Sequence, residues 1–293
     1  MNFGTVAILG PGLIGGSLAL ALAERSLTRR LMIYARSPHA LDAIRTAGVD
    51  AVLTGNPSEA VRDADVVVLC VPIEAMPALV HEFRDALKPT ALVTDVGSVK
   101  ESVDNDLAPL LENRALWIGS HPMAGSDQAG FIAARPDLFD GAAVVLTPTR
   151  HTQHDAVHRA EDFWRAVGAR IFTYEPKHHD LLIAQISHLP HLLAAALVNQ
   201  ASEEACQLAG GGFRDTTRVA SGSPELWAEI LLANSPAITR QLDLLMTQIK
   251  AMETALKSPN HARAKTLLLE FLQRAQVSRA QTAETNPLFQ KRA

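Results

Sequence analysis

An α/β fold built on a doubly wound sheet, followed by a second, all-helical domain, is the fold class this sequence predicts, and three observations predict it. An apolar strand runs straight into a G-x-G-x-x-G turn and then a helix near the N-terminus. Short apolar runs alternate with helical stretches from Thr5 to about Tyr174. After Pro176 the strand-like runs stop and only long helical segments follow. The boundary is therefore placed between residues 1–175 and 176–293.

The first strand, Val6-Ala-Ile-Leu9, ends at Gly10-Pro-Gly12-Leu13-Ile14-Gly15. Gly10 allows the tight turn, and Gly12 lets backbone N–H groups approach a pyrophosphate. Gly15 lets the following helix, with its run Leu18-Ala-Leu-Ala-Leu22, pack close on the strand while its N-terminus favours the anion. This is a Rossmann-type, dinucleotide-binding arrangement. Further strands are read at Leu31 to Ala35, Val66 to Val71, Ala91 to Asp95, Leu116 to Gly119, Ala143 to Leu146 and Arg170 to Tyr174. Helices are read between them at Ala40 to Ala47, Ala78 to Leu87, Glu101 to Leu111 and Ala156 to Val167. The second domain reads as helices over Asp180 to Leu208, Glu225 to Ala233, Ala237 to Leu256 and His261 to Thr282. Ser223-Pro224 and Ser235-Pro236 look like N-cap plus N1 pairs that restart helices, and Gly210-Gly211-Gly212 separates two helical pieces. The tail after Glu284 reads as frayed, and the chain shows no internal repeat.

A chain of 293 residues with 47% hydrophobic and 20% charged residues has globular composition, and a formal charge of −4 argues against a general nucleic-acid or membrane-surface binder. An anionic ligand must then meet local positive charge. Of the two cysteines, Cys70 lies in an apolar run and reads as a buried thiol, and Cys206 adds no framework, which fits a reducing cytoplasm. No basic-then-apolar leader precedes the first strand, and no apolar run approaches the ~18 residues that span a bilayer. The expectation is a cytoplasmic protein with a small-molecule substrate and neither nucleic-acid nor membrane partners.

Rossmann domains that bind NAD usually place Asp or Glu at the tip of the second strand, on the ribose 2′-OH. Here that strand ends Tyr34-Ala35-Arg36-Ser37. A guanidinium and a hydroxyl suit a 2′-phosphate, so NADP is the expected cofactor and NAD the less favoured one. The alternative leaves Arg36 as a solvated charge. The cofactor contacts expected are Gly10, Gly12, Leu13, Ile14, Gly15, Arg36, Ser37, Val71, Pro72 and Ser98.

Three further segments hold polar residues that a plain structural loop would not need. In Thr94-Asp95-Val-Gly97-Ser98-Val-Lys100-Glu101, Ser98 and Glu101 have capping-box spacing, so Ser98 reads as a helix start at the ligand-binding end of the sheet. In Gly119-Ser120-His121-Pro122-Met123-Ala124-Gly125-Ser126, His121 is a candidate general base. In Ser187-His188-Leu-Pro190-His191 two histidines share a helical face, and Pro190 is expected to kink the helix. No acidic or cysteine set completes a metal site there, so no metal is expected. Arg214 and Arg218 lie on one face if their segment is helical, with Asp215 free to pair with a guanidinium. Trp227 follows.

Taken in order, Gly10 to Ser17, Thr94 to Lys100, His121 to Gly125, Ser187 to His191, and Phe213 to Arg218 with Trp227 resemble the prephenate and arogenate dehydrogenase family of tyrosine biosynthesis, over nearly the whole chain. The glycine motif is common to many dehydrogenases; the three later motifs together are specific. The resemblance implies a helical substrate-binding and dimerisation domain, a homodimer, and oxidative decarboxylation of a cyclohexadienol, either prephenate or arogenate. It implies that His121 takes the ring hydroxyl proton, that Ser98 orients this histidine and the hydroxyl, and that Arg218 pairs with a substrate carboxylate. His188, His191, Arg214 and Trp227 are the other residues expected near substrate. The alternatives are another two-domain NADP oxidoreductase, of the β-hydroxyacid dehydrogenase or imine reductase kind, and a non-catalytic NADP-sensing module.

Overall fold

The strand β1 (Thr5–Leu9) is buried along its whole length. Its side chains alternate between two cores, Val6 and Ile8 joining one, Ala7 and Leu9 the other. The computed structural model describes residues 1–125 and 130–286. β2 (Arg30–Tyr34), β3 (Val52–Thr54), β4 (Val66–Leu69), β5 (Leu92–Asp95) and β6 (Leu116–Trp117) join β1 in one six-stranded parallel sheet of order β3-β2-β1-β4-β5-β6. Helices α1 (Leu13–Glu24), α2 (Pro38–Thr46) and α6 (His154–Ala166) pack on one face, through Leu18, Leu22, Ile44, Phe163 and Trp164. Helices α3 (Pro57–Val61), α4 (Met76–Phe83) and α5 (Glu101–Leu111) cover the other, through Val61, Val80, Phe83, Leu107 and Leu111. Sequence order reverses between β1 and β4, so the crevice at their carboxyl ends is the ligand-binding position of such a sheet.

The sequence places the strands after residue 116 in the same sheet; the structure does not. After Trp117 the chain leaves the parallel sheet, and β7 (Gly119–Met123), β8 (Ala143–Thr147) and β9 (Arg170–Thr173) form a second, three-stranded sheet, β7 antiparallel and β9 parallel to β8. The cause is local. Asp95, at the end of β5, accepts the amide N–H of Ser120 at 3.1 Å, and its carbonyl accepts the Ser120 hydroxyl, which pulls the chain across the end of β5. His121, just beyond the strand read at Leu116 to Gly119, therefore sits inside β7.

After residue 176 the chain is helical. α7 (Pro176–Ile183) runs through a π-helical turn, Ala184–His188, into α8 (Leu189–Gln200), followed by α9 (Glu203–Gln207), α10 (Gly211–Thr217), a 3₁₀ turn Arg218–Ser221, α11 (Pro224–Ala233), α12 (Ser235–Leu256) and α13 (His261–Thr285). The single helix expected over Asp180 to Leu208 is thus broken after Gln200. Pro190 falls in the first turn of α8, and the irregularity it was expected to impose is the π turn just ahead of it. The helical stretch Pro176–Gln200 contains an 18-residue window of mean hydropathy 1.7 and is by length and composition apolar enough to cross a bilayer, which corrects the reading that no run approaches that length. Its buried His179, Asp180, His188 and His191 are nevertheless polar side chains, and Asp180 and His179 are hydrogen-bonded to the α/β half. Ser223 caps α11, accepting the Leu226 N–H at 3.3 Å, whereas Ser235 lies inside α12 and Asn234 occupies the junction. α13 runs to Thr285, and residues 287–293 of the tail lie outside the described set.

By compactness the chain divides into Met1–Ile238 and Thr239–Ala293, so the change from sheet to helix at residue 176 falls within the first unit. The second unit consists of the rest of α12 and α13, and these leave Leu244, Met246, Ile249, Leu267, Leu269 and Leu272 exposed.

Candidate active site

The nucleotide cradle follows from the glycines. A β-carbon at Gly10, where φ is +104°, would lie 2.5 Å from the Cys70 carbonyl oxygen, and one at Gly15 would lie 2.2 Å from the Gly10 carbonyl oxygen. Both positions exclude a side chain so that turn, helix and β4 can meet. Gly12 is different: nothing lies within 4 Å of a β-carbon there, and as N-cap of α1 it leaves the first N–H groups uncapped, with no acidic residue in the first turn. That open space beside unpaired donors fits a pyrophosphate. Leu13 and Ile14 are half-buried beside it. Val71, packed near Gly10, and the exposed Pro72 follow β4 on the other side of the crevice. Arg36 and Ser37 are exposed beyond β2, Arg36 without an ion pair among the described residues and Ser37 as the N-cap of α2 with no side-chain bond.

The catalytic geometry begins at a helix end. α5 starts at Glu101, and Ser98 does not cap it, contrary to the capping-box reading. The carboxylate of Asp180, on α7, does so from a distance, accepting the N–H of Lys100 through Oδ1 and that of Glu101 through Oδ2, each at 2.8 Å. Its Oδ1 also lies 2.7 Å from Nδ1 of His179, and Nε2 of His179 lies 2.9 Å from Nδ1 of His121. Backbone amides only donate and a carboxylate accepts, so His179 carries its proton on Nδ1 and accepts at Nε2. His121 in turn donates from Nδ1 and keeps a lone pair on Nε2. The three groups form a file, Asp180 to His179 to His121, that fixes one tautomer of the last imidazole. Ser98 is half-buried at the end of β5 and makes no hydrogen bond to His121; the ring is oriented at Nδ1 by His179.

Burial holds His121 well below the ordinary imidazole range, with the nearby His179, Lys100 and His188 acting in the same direction. His179 is also lowered, chiefly by burial, against the opposing pull of Asp180. A base must be unprotonated in the free enzyme, so activity is retained as pH falls until His121 protonates. The acid limb of the kcat/KM profile is expected below pH ~6.5, where an exposed histidine would place it. A pH series of initial rates checks this.

A second cluster lies along α8. The side-chain nitrogen of Asn234 is 2.9 Å from the carbonyl of Asp180 and 3.0 Å from Nδ1 of His188. A carbonyl only accepts, so that nitrogen is the amide donor for both, and His188 carries its proton on Nε2. Burial lowers the His188 pKa to about 4, so it is neutral at pH 7. Nε2 of His188 and Nδ1 of His191 are buried without partners. Trp227 stacks on His191 with ring centroids 3.5 Å apart and meets His188 edge to face at 6.1 Å. Arg214 pairs with the adjacent Asp215 at 3.0 Å, while Arg218, exposed in the 3₁₀ turn that packs on α8, has no ion pair among the described residues. α10 ends at Thr217, and Arg218 is its C-cap and opens the 3₁₀ turn. Ser126, at the end of the His121 segment, lies outside the described residues.

His179, Asp180, Asn234 and the buried pair Asp95 and Lys100 were not singled out as functional from sequence. The signal for two of them is Pro176-Lys-His-His179-Asp180, a buried-polar doublet in the first turns of an otherwise apolar helix. Asp95 and Lys100 stand in the polar segment Thr94 to Glu101, where only Ser98 was given a role, and Asn234 shows nothing in isolation.

The model of the family described as prephenate dehydrogenase, nucleotide-binding domain, matches residues 18–173, and that described as prephenate dehydrogenase, dimerization domain, matches residues 175–273. The chain is 36% identical over 263 residues to the cyclohexadienyl dehydrogenase of Zymomonas mobilis, an alignment covering 87% of this chain and 89% of the relative. Among solved structures it resembles the prephenate dehydrogenase of Aquifex aeolicus in complex with hydroxyphenyl propionate and NAD+, with a TM-score of 0.87, 28% identity, and 96% and 98% of the two chains covered. It also resembles the arogenate dehydrogenase of Synechocystis, with a TM-score of 0.80, 30% identity, and 94% and 99% covered.

Proposed function

Because the chain belongs to the prephenate dehydrogenase family, we propose that it oxidatively decarboxylates prephenate or arogenate with His121 as general base and NADP as the preferred cofactor. The observation that carries this reading is the file from Asp180 through His179, which leaves Nε2 of His121 with a lone pair. A bound nicotinamide would supply the hydride acceptor for the ring carbon that bears the hydroxyl. His121 takes the hydroxyl proton on Nε2, and the imidazolium so formed is stabilised through His179 by the Asp180 carboxylate. Loss of the ring carboxylate as carbon dioxide then makes the ring aromatic. Ser98, at the end of β5, is the residue expected to meet the ring hydroxyl and the cofactor. Incubating the purified chain with prephenate or arogenate and each cofactor in turn, while following reduced nicotinamide by absorbance, tests the reading; no turnover with either substrate overturns it.

Arg218 is assigned to a substrate carboxylate, supported by an exposed guanidinium with no ion pair among the described residues, on the 3₁₀ turn that packs on α8, the helix that carries His191. Arg218→Ala is expected to raise KM about 10–100-fold with kcat little changed, as loss of a charged hydrogen bond worth ~1.5–3 kcal/mol requires. Steady-state kinetics with both substrates measure it.

The cofactor preference is supported by Arg36 and Ser37, with no carboxylate at the tip of β2. The Aquifex protein holds NAD+, so the two cofactors must be compared directly. Arg36→Asp is expected to lower the NADP-to-NAD ratio of kcat/KM by about 100-fold, through loss of one charge-assisted contact and gain of a repulsive one. An unchanged ratio contradicts the assignment. A homodimer is supported by the family match over residues 175–273 and by the apolar side chains that α12 and α13 leave exposed.

A further inference from the structure

Lys100 is fully buried, an unusual place for an ammonium group, and the mechanism above gives its side chain no task. Its Nζ donates to a carboxylate oxygen of Asp95 and, at 2.8 Å, to the carbonyl of Ser120, the residue immediately before His121. Its own backbone N–H donates at 2.8 Å to Asp180, the carboxylate that orients His179. Asp95 meanwhile receives the amides of Gly97 and Ser120. The contacts therefore close a ring: Lys100 to Ser120 and His121, across to His179 and Asp180, and back to Lys100.

We infer that Lys100 is a positioning residue of this site: its ammonium fixes the strand that carries His121 and its amide fixes the carboxylate that orients His179, so that one residue sets both ends of the His121–His179 hydrogen bond. The inference rests on the reading of His121 as base. A buried ion pair is poor value for stability alone, since apolar groups of similar size often serve as well. Here the pair stitches β5, β7 and the start of α5 at the point where the chain leaves the parallel sheet, which an apolar pair cannot do. The charged and titratable groups facing His121 are His179 from α7, Lys100 from the turn ahead of α5 and His188 from the π turn. Those facing Lys100 are Asp95 from β5, Asp180 from α7 and Asp104 from α5.

The test compares wild type with Lys100→Met and with the double variant Asp95→Asn/Lys100→Met, which removes both charges together and keeps the chain folded if the single change leaves Asp95 stranded. In the folded double variant kcat with the better substrate is expected to fall about 10–100-fold at little-changed KM, because a displaced base costs turnover and not binding. The acid limb of kcat/KM is expected to move up toward the ordinary histidine range, because a positive neighbour of His121 is gone. Nitrogen-15 NMR of the His121 ring, titrated without substrate, reads the same upward movement and a change of proton population on Nδ1, so a chain that fails to turn over either substrate still decides the point. A folded double variant whose kcat, acid limb and ring titration match wild type overturns the inference.

Discussion

Replacing His121 by asparagine lowers kcat about 10²–10⁴-fold and leaves KM within a few-fold, the loss typical of a removed general base. Asparagine is the informative substitution because its amide nitrogen can stand where Nδ1 stands and still donate to His179, 2.9 Å away in the wild type. The strand pairing of β7 with β8 is a backbone property and survives. What disappears is the second nitrogen, which has no counterpart in asparagine and is the atom that accepts the substrate proton. Thermal unfolding is expected to stay close to wild type, so the kinetic loss is not a folding loss. Retention of full kcat assigns the base elsewhere, and an equal loss in kcat and folded fraction assigns His121 to structure.

The parallel sheet, the glycine turn and the order of the helices were legible because each rests on a local pattern. β1 and β4 are continuous apolar runs buried on both faces, and Gly10 and Gly15 exclude a side chain for reasons the motif itself states. β3 and α3 were not legible, being three and five residues long. The departure of β7 into a second sheet was not legible either, because it depends on Asp95 and Ser120, 25 positions apart, meeting at a strand end. The site divides in the same way. His121, His188 and His191 stand in motifs dense enough to be noticed. His179, Asp180, Lys100 and Asn234 are each tied into the site by at least one partner 46 to 80 positions distant, and no window of sequence shows that Asp180 caps a helix it does not belong to. The capping-box spacing of Ser98 and Glu101 was a misleading local signal: the two N–H groups nearest that helix start were already taken by Asp180, a tertiary contact that overrides the local one.

Asp180→Asn probes the same file from its far end and is expected to cost as much in turnover as the loss of the base itself. The wild-type carboxylate accepts three donors: the N–H groups of Lys100 and Glu101 and Nδ1 of His179. An amide has one acceptor and one donor end. If its NH₂ takes the place of Oδ1, it faces both the N–H of Lys100, which loses its acceptor, and His179, which must move its proton from Nδ1 to Nε2. The proton on Nε2 then points at Nδ1 of His121, which must become the acceptor and carry its own proton on Nε2. The base is thereby protonated in the wrong place without being touched, and such a carboxylate-to-amide exchange behind a catalytic histidine lowers kcat by ~10⁴-fold where it has been characterised. The opposite amide orientation keeps the tautomers and strands only the N–H of Glu101, so either orientation leaves one donor at the start of α5 unpaired, at ~1–3 kcal/mol. The two outcomes are separable by experiment. Urea unfolding reads the stranded amide that both share, whereas kcat reads the inverted base and nitrogen-15 NMR of the His121 ring shows directly which nitrogen holds the proton. Wild-type kcat together with wild-type stability in Asp180→Asn contradicts both, and with them the claim that this carboxylate governs His121 through His179.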